Sequence, residues 1–138
     1  MHKLVLDTNS YISGFLWEGN EAELIRKIES GKASSFISKE ILEEIDEVLR
    51  RDKFAIVLKV ANTTADEVLS KIVSLSTIVI GPKLEENVVK EDKDDDKFLE
   101  CAVNAKADII VSGDDHLLKL KEYENIKKMT TSDALKLL

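Results

Sequence analysis

The stretch LVLDTN, residues 4–9, decides the fold. Three aliphatic residues of a short strand run straight into Asp7, which neither extends a strand nor rests easily in a core, and a polar pair follows at once. The same arrangement returns near the other end of the chain as DIIVSGDD, residues 108–115, where a wholly apolar strand ends just before Asp114. Short apolar strands that stop on acids are the mark of a sheet buried on both faces, with polar residues gathered at its strand ends.

Working outward, strand and helix patterns alternate along the chain. KLVLD (3–7) reads as the first strand and SYISGFLW (10–17) as a helical or turning segment. Asn20 is expected to cap EAELIRKIES, whose Leu24, Ile25 and Ile28 form one apolar face, and Gly31 ends it. SSFIS (34–38) is a second strand, and Ser38 caps KEILEEIDEVLRR, with Ile41, Leu42, Ile45, Val48 and Leu49 as the buried stripe. A short helical piece near 53–61 precedes a helix that Thr64 and Glu67 open as a capping box and that runs through Leu75. TIVIG (77–81) is a third strand, stopped by Pro82. A polar loop over 83–94, a helix KFLECAVNAKA, the strand at 108–113, a helical turn DHLLKL, a last strand near NIKKM and a helix TSDALKLL begun by Thr131 complete the reading. The alternation predicts an α/β fold with a central parallel sheet, and 138 residues suffice for one domain spanning 1–138.

Composition narrows the function classes. Twenty Lys and Arg against 27 Asp and Glu give a net charge of −7, which argues against a protein that coats nucleic acid without selectivity. Metal ions held by carboxylates reverse that logic locally, and Arg50, Arg51, Lys53, Lys119 and Lys121 then offer flanking contacts to a polyanion; the simpler reading of these five is solvated helix faces. A single cysteine, Cys101, inside an apolar helical pattern, reads as a small buried side chain and excludes an internal disulfide framework. No apolar run reaches the length of a membrane span, and Asp7 interrupts the first apolar segment too early for a signal peptide, so a soluble, cytoplasmic protein is expected.

The acids carry the chemistry. In an open parallel sheet the ligand crevice lies outside the carboxyl ends of the strands, which places Asp7 and Asp114 on one rim. The run EDKDDDKF (91–98) sets Asp95 and Asp96 at the start of the helix that feeds the fourth strand, where the helix dipole favours negative charge. Glu44 borders the apolar stripe of its helix rather than opposing it. Each residue alone has an ordinary reading: Asp7 and Asp114 as turn formers or caps, the acid run as a solvated loop, Glu44 as helix surface. Together, four acids on one rim repel one another and need cations. Hard divalent ions, Mg²⁺ or Mn²⁺, accept that oxygen set. One cysteine, with His2 and His116 at no ligand spacing, excludes zinc, and neither a serine nucleophile elbow nor a glycine-rich phosphate loop is present.

VLDTN (5–9), ILEEIDEVL (41–49), DKDDDKFLECAV (92–103) and DIIVSGDDHLL (108–118), in that order, resemble the blocks of a PIN domain over essentially the whole chain, nearest to small prokaryotic PIN proteins related to VapC-type toxins. The resemblance implies a Rossmann-like three-layer α/β/α sandwich and a metal-dependent endoribonuclease that hydrolyses RNA phosphodiester bonds as the toxin of a toxin-antitoxin pair. It matches Asp7, Glu44 and Asp114 to three of the family's acids. Counting seven residues back from Ala102 selects Asp95 as the fourth; Asp96 is the alternative, and Asp92 assists from the loop. Asn9 and Ser112 resemble the polar residues that orient such a site, and Lys93 stands where the family's acid run often has proline. One or two Mg²⁺ or Mn²⁺ ions, an RNA substrate, an antitoxin and a homodimer are the implied cofactors and partners.

Two other classes fit parts of the pattern. A PIN module that binds RNA without cutting it is expected to lack one or more of the acids, and this chain lacks none. Aspartyl phosphotransfer domains also group aspartates at strand ends, but the dehalogenase type wants an acid where this chain has Asn9, and the receiver type wants a lysine after its last strand, which is offered only loosely. Among the aromatics near the first strand, Tyr11, Phe15 and Trp17, core is the default reading, against a dimer surface or a base-stacking platform.

Overall fold

The computed structural model describes residues 1–83, 96–113, 122–123 and 125–138. In chain order the elements are β1 (His2–Leu6), α1 (Thr8–Leu16), α2 (Asn20–Glu29), β2 (Ala33–Ser38), α3 (Lys39–Leu49), a 3₁₀ turn (Asp52–Phe54), α4 (Ala55–Val60), α5 (Ala65–Leu75), β3 (Ser76–Val79), α6 (Asp96–Ala105), β4 (Ile109–Val111), β5 (Glu122–Tyr123), β6 (Ile126–Met129) and α7 (Thr131–Leu135). The expected loop over 83–94, beyond Lys83, and the expected helical turn at 115–120 lie outside the described residues.

The strands form one sheet in the order β3-β2-β1-β4-β6-β5. Five are parallel, and only β5 runs antiparallel, against β6, as an edge strand that sequence periodicity did not reveal. From β1 the chain steps outward to β2 and β3, then crosses back to place β4 on β1's other side. Helices flank this parallel sheet, as in the α/β sandwich that the family resemblance implied. Leu4, Val5 and Leu6 of β1 and Ile109, Ile110 and Val111 of β4 are all buried, as strands covered on both faces must be. The α6 helix packs across β1, β2, β3 and β4.

The helices begin where short polar side chains can satisfy their first N–H groups. Ser38 Oγ accepts from Ile41 N at 3.3 Å, and Thr64 Oγ1 accepts from Glu67 N at 3.1 Å. The expected capping box is only half made, because Glu67 Oε2 accepts from the Thr63 hydroxyl at 3.1 Å. Two starts differ by one residue from expectation. Asn20 is the first residue of α2, and Gly19, at a φ of 140°, holds the cap position without a side chain. Thr130 rather than Thr131 caps α7, accepting from Asp133 N at 3.2 Å. At the C-termini, Gly31 (φ 82°) and Lys106 (φ 56°) turn α2 and α6 off in the left-handed region. Both ends make the paired bonds of a Schellman motif: Lys32 N to Lys27 O at 2.9 Å with Gly31 N to Ile28 O at 3.1 Å, and Ala107 N to Ala102 O at 2.9 Å with Lys106 N to Val103 O at 3.2 Å.

Tyr11 is core, as expected. Its hydroxyl meets those of Ser35 and, at 3.3 Å, Ser76, pinning α1 over β2 and β3. Burial pushes its phenol up to about 12, against the opposing effect of the two serine hydroxyls. Trp17 is 48% exposed, stacked obliquely on Phe54 at 6.4 Å between ring centroids. Cys101 is buried, and burial raises its thiol to about 12, with Glu40 adding to the rise and the Ser38 hydroxyl opposing it. No helix among the described residues is long and apolar enough to cross a membrane.

Candidate metal centre at the carboxyl ends of β1 and β4

The reversal of strand order between β1 and β4 makes their carboxyl ends the crevice of this sheet. Asp7, one residue beyond β1, is 6% exposed and serves as the N-cap of α1. Its Oδ1 accepts from Ser10 N at 2.8 Å, and its Oδ2 accepts from the Ser112 hydroxyl at 2.6 Å. The cap reading and the site reading of Asp7 therefore coexist: one oxygen starts the helix, and the other faces β4. The backbone continues the sheet past its strands here, with Asp7 N donating to Val111 O at 3.0 Å and Ser112 N donating to Met129 O at 3.0 Å. Ser112 is fully buried, so the ends of β1, β4 and β6 are tied together at the aspartate.

Glu44 reaches the same rim from α3. Its position beside the stripe of Ile41, Ile45 and Val48 aims it along the core rather than into solvent. The Thr8 hydroxyl donates to Glu44 Oε1, which links Glu44 to the residue next to Asp7. Glu44 Oε2 pairs with the ammonium of Lys97 on α6. Asp96, the first residue of α6, is 6% exposed. Asn9 is exposed in the first turn of α1. Asp92, Asp95 and Asp114 lie outside the described residues, as do His116, Lys119 and Lys121.

Thr8 and Lys97 were missed from sequence. A signal for Lys97 does exist: a cation in the first turn of a helix opposes the helix dipole and calls for a nearby carboxylate. Thr8 offers no comparable signal, because its role depends on where α3 lies. Of the basic residues considered for polyanion contacts, the two arginines have acidic neighbours. Arg50 pairs with Asp46 and with Asp66, each at 2.5 Å, and Arg51 pairs with Glu47 at 3.1 Å. Lys53 lies over the Phe54 ring at 5.3 Å. At the opposite end of the sheet His2 Nδ1 meets Asp108 Oδ2 at 2.5 Å.

Among the described residues no three His, Cys, Asp or Glu side chains lie together as a ready metal cluster. Two of the four acids proposed from sequence lie outside those residues, and what the chain offers a cation is read from Asp7. This carboxylate is buried, accepts from one N–H and one O–H, and pairs with no Lys, Arg or His among the described residues. A carboxylate has about four lone-pair sites, so acceptor capacity remains on both oxygens. Hydrogen-bonded oxygens of a buried acid without an ammonium or guanidinium partner suit a hard divalent ion.

Comparison with known proteins agrees with the architecture. Residues 3–116 match the family model of the PIN domain. The chain is 31% identical over 128 residues to the uncharacterized protein MJ1680 of Methanocaldococcus jannaschii, an alignment covering 92% of this chain and 80% of that protein. PIN domains are generally nucleases, and the match runs through β1, α3, α6 and β4, the elements that form the rim around Asp7. With this sheet order, these rim residues and that match, the chain belongs to the PIN-domain family.

Proposed function

We propose that the chain is a divalent-metal-dependent endoribonuclease whose site comprises Asp7, Glu44, an acid of the 92–96 run and Asp114, with Ser112 and Asn9 in support. The observation that carries this reading is the buried Asp7 carboxylate, oriented by Ser10 N and the Ser112 hydroxyl at the switch point of the sheet and facing no cationic side chain among the described residues. The burial of Asp96, the alternative to Asp95 in the acid run, supports a role for it at the start of α6.

A bound Mg²⁺ or Mn²⁺ would supply a Lewis acid and a water acidified enough to attack phosphorus at neutral pH. The chain's own residues do the positioning. Asp7 holds the cation-binding oxygens in place because both are anchored, one to a helix start and one to the neighbouring strand. Thr8 and α3 bring Glu44 to the same rim. No side chain need serve as a nucleophile, since water is the attacking group. The toxin role, with an antitoxin that fills the acidic groove, belongs to the same proposal and rests on the resemblance to VapC-type proteins; a small antitoxin-like neighbouring reading frame is its simplest check.

The experiment is Asp7→Asn. The amide keeps an oxygen for Ser10 N, and the Ser112 hydroxyl can turn to accept from the amide NH₂, so the far-ultraviolet circular dichroism spectrum is expected to stay that of the folded chain. Mg²⁺- or Mn²⁺-dependent cleavage of RNA is expected to vanish. Undiminished cleavage eliminates the site, whereas RNA binding without metal-dependent cleavage by the unaltered chain identifies a binding module instead.

A further inference from the structure

We propose that the outer edge of β3 is the pairing edge for a second copy of this chain, which adds antiparallel to it in a register centred on Val79, Ile78 of each copy lying across from Ile80 of the other. The inference stands apart from the nuclease reading. β3 is one margin of the sheet: it pairs with β2, and among the described residues no strand meets its other side. Ser76 meets the Tyr11 hydroxyl of α1, and the alternation of a strand sends Ile78, then Ile80, to that same face. Ile78 is 48% exposed and Ile80, one residue past the strand, 93%. From Ile72 to Pro82 the sequence holds no charged residue, although 34% of the whole chain is charged.

Edge strands that stay single are ordinarily blunted by shortness, by charge or by a proline within them. The opposite margin of this sheet follows that rule, since β5 has two residues and one is Glu122. β3 does not, and its proline, Pro82, comes only after the apolar run. A second copy is the occupant that fits. Two-fold pairing sets a strand against itself, so any charge in it is brought near its own like, and here there is none. The Ile-Val-Ile run reads the same in both directions about Val79, which gives each exposed isoleucine an apolar partner across the join. The same register runs positions 80–83 of one copy beside 75–78 of the other. That carries the end of the second copy's α5, with its exposed Val73, toward a hollow of about 390 Å³ at the end of β3. Leu42 of α3 and Ile78 line the hollow, and its charged residues, Lys39, Lys83, Glu40 and Glu100, balance in sign. With the blunted β5 at both far margins, the joined sheet closes as a dimer rather than growing. Because the paired strands run in opposite directions, the two Asp7 rims open at opposite ends of the joined sheet, each within one copy.

Sedimentation velocity and light scattering on the full chain test this. The wild type is expected to be a dimer at about 100 μM, where an interface with a Kd of about 1 μM is nearly saturated. Ile78→Lys/Ile80→Lys alters two exposed side chains and sets lysine against lysine, so a monomer with an unchanged circular dichroism spectrum is expected, the Kd rising by about 100-fold or more. Ile78→Lys/Ile80→Glu adds as many charged groups but sets lysine opposite glutamate in the Val79 register, and is expected to dimerise again at low salt. A wild type that stays monomeric overturns the inference and leaves the edge to a strand of another protein. A dimer that survives Ile78→Lys/Ile80→Lys, or that Ile78→Lys/Ile80→Glu does not restore, overturns it as well. Should either variant fold poorly, hydrogen exchange of the unaltered chain decides: the β3 amides that point away from β2 are expected to exchange about tenfold or more slowly in concentrated than in dilute protein, and equal rates overturn the pairing.

Discussion

Ser112 and Asp7, 105 positions apart, share a hydrogen bond of 2.6 Å between the serine hydroxyl and Oδ2 of the carboxylate. The serine is fully buried just past β4, so the contact fixes both the direction of the carboxylate and the junction of two central strands. Ser112→Ala removes the donor and leaves the aspartate oxygen less satisfied. The expected cost is about 1–3 kcal/mol of stability in urea unfolding. On the metal-dependent reading, Mn²⁺ affinity is expected to fall by roughly 10- to 100-fold in calorimetric titration, as when an orienting partner of a metal ligand is lost.

The end of α6 offers a stabilising substitution. Lys106 is exposed and holds a φ of 56°, a conformation that costs a residue with a Cβ about 1 kcal/mol. The same position of the same motif is filled by Gly31 at the end of α2. Lys106→Gly is expected to raise the stability by about 0.5–1 kcal/mol, net of the entropy that glycine adds to the unfolded chain. A midpoint of chemical denaturation that stays put or drops would show that the lysine stem contributes packing the geometry does not reveal.

The His2–Asp108 pair should leave its trace in acid. Partial burial raises the Asp108 carboxyl, but hydrogen bonds from His2 and from the Lys3 backbone N–H outweigh it, and the group lies below its ordinary value. A depressed carboxylate contributes stability that is present above its unfolded pKa, about 3.9, and is lost as pH falls through the lower folded value. Asp108→Asn is therefore expected to be less stable than the wild type by a constant amount from about pH 5 to 6, with the gap closing below about pH 4. Because both side chains are 40% or more exposed, the gap is small. Unfolding in urea at a series of pH values gives both curves; a gap that widens toward acid contradicts the assignment.

The parts of the fold that follow from local chemistry were legible in the sequence. Strands β1 and β4 announced themselves as apolar runs ending on polar residues, and α3 as a stripe from Ile41 to Leu49 behind a serine cap. That Asp7 and Ser112 end on one rim follows from parallel strands, because strands that point the same way finish on the same side. The antiparallel β5 was not legible: its two residues carry no alternation, and its existence depends on pairing with β6. The cap offsets at Gly19 and Thr130 arise where two adjacent residues both suit the position, and only the backbone angles distinguish them. The Thr8 contact with Glu44 was not legible, and the first-turn position of Lys97 called for a carboxylate without naming Glu44, because each contact joins elements whose spacing is set by packing rather than by sequence order.

Placing β1 at the centre of the sheet has a consequence for how the molecule is made. Leu4 pairs with Ser35 on one side and with Ile109 on the other, so β1 keeps one edge unsatisfied until β4, more than a hundred positions later, has been synthesised. The aspartate that follows that strand acquires its serine donor only at the same late moment. A nascent or truncated chain that ends before β4 therefore holds the first acid without its anchor, and whatever activity depends on that anchor begins only after Ser112 has been added.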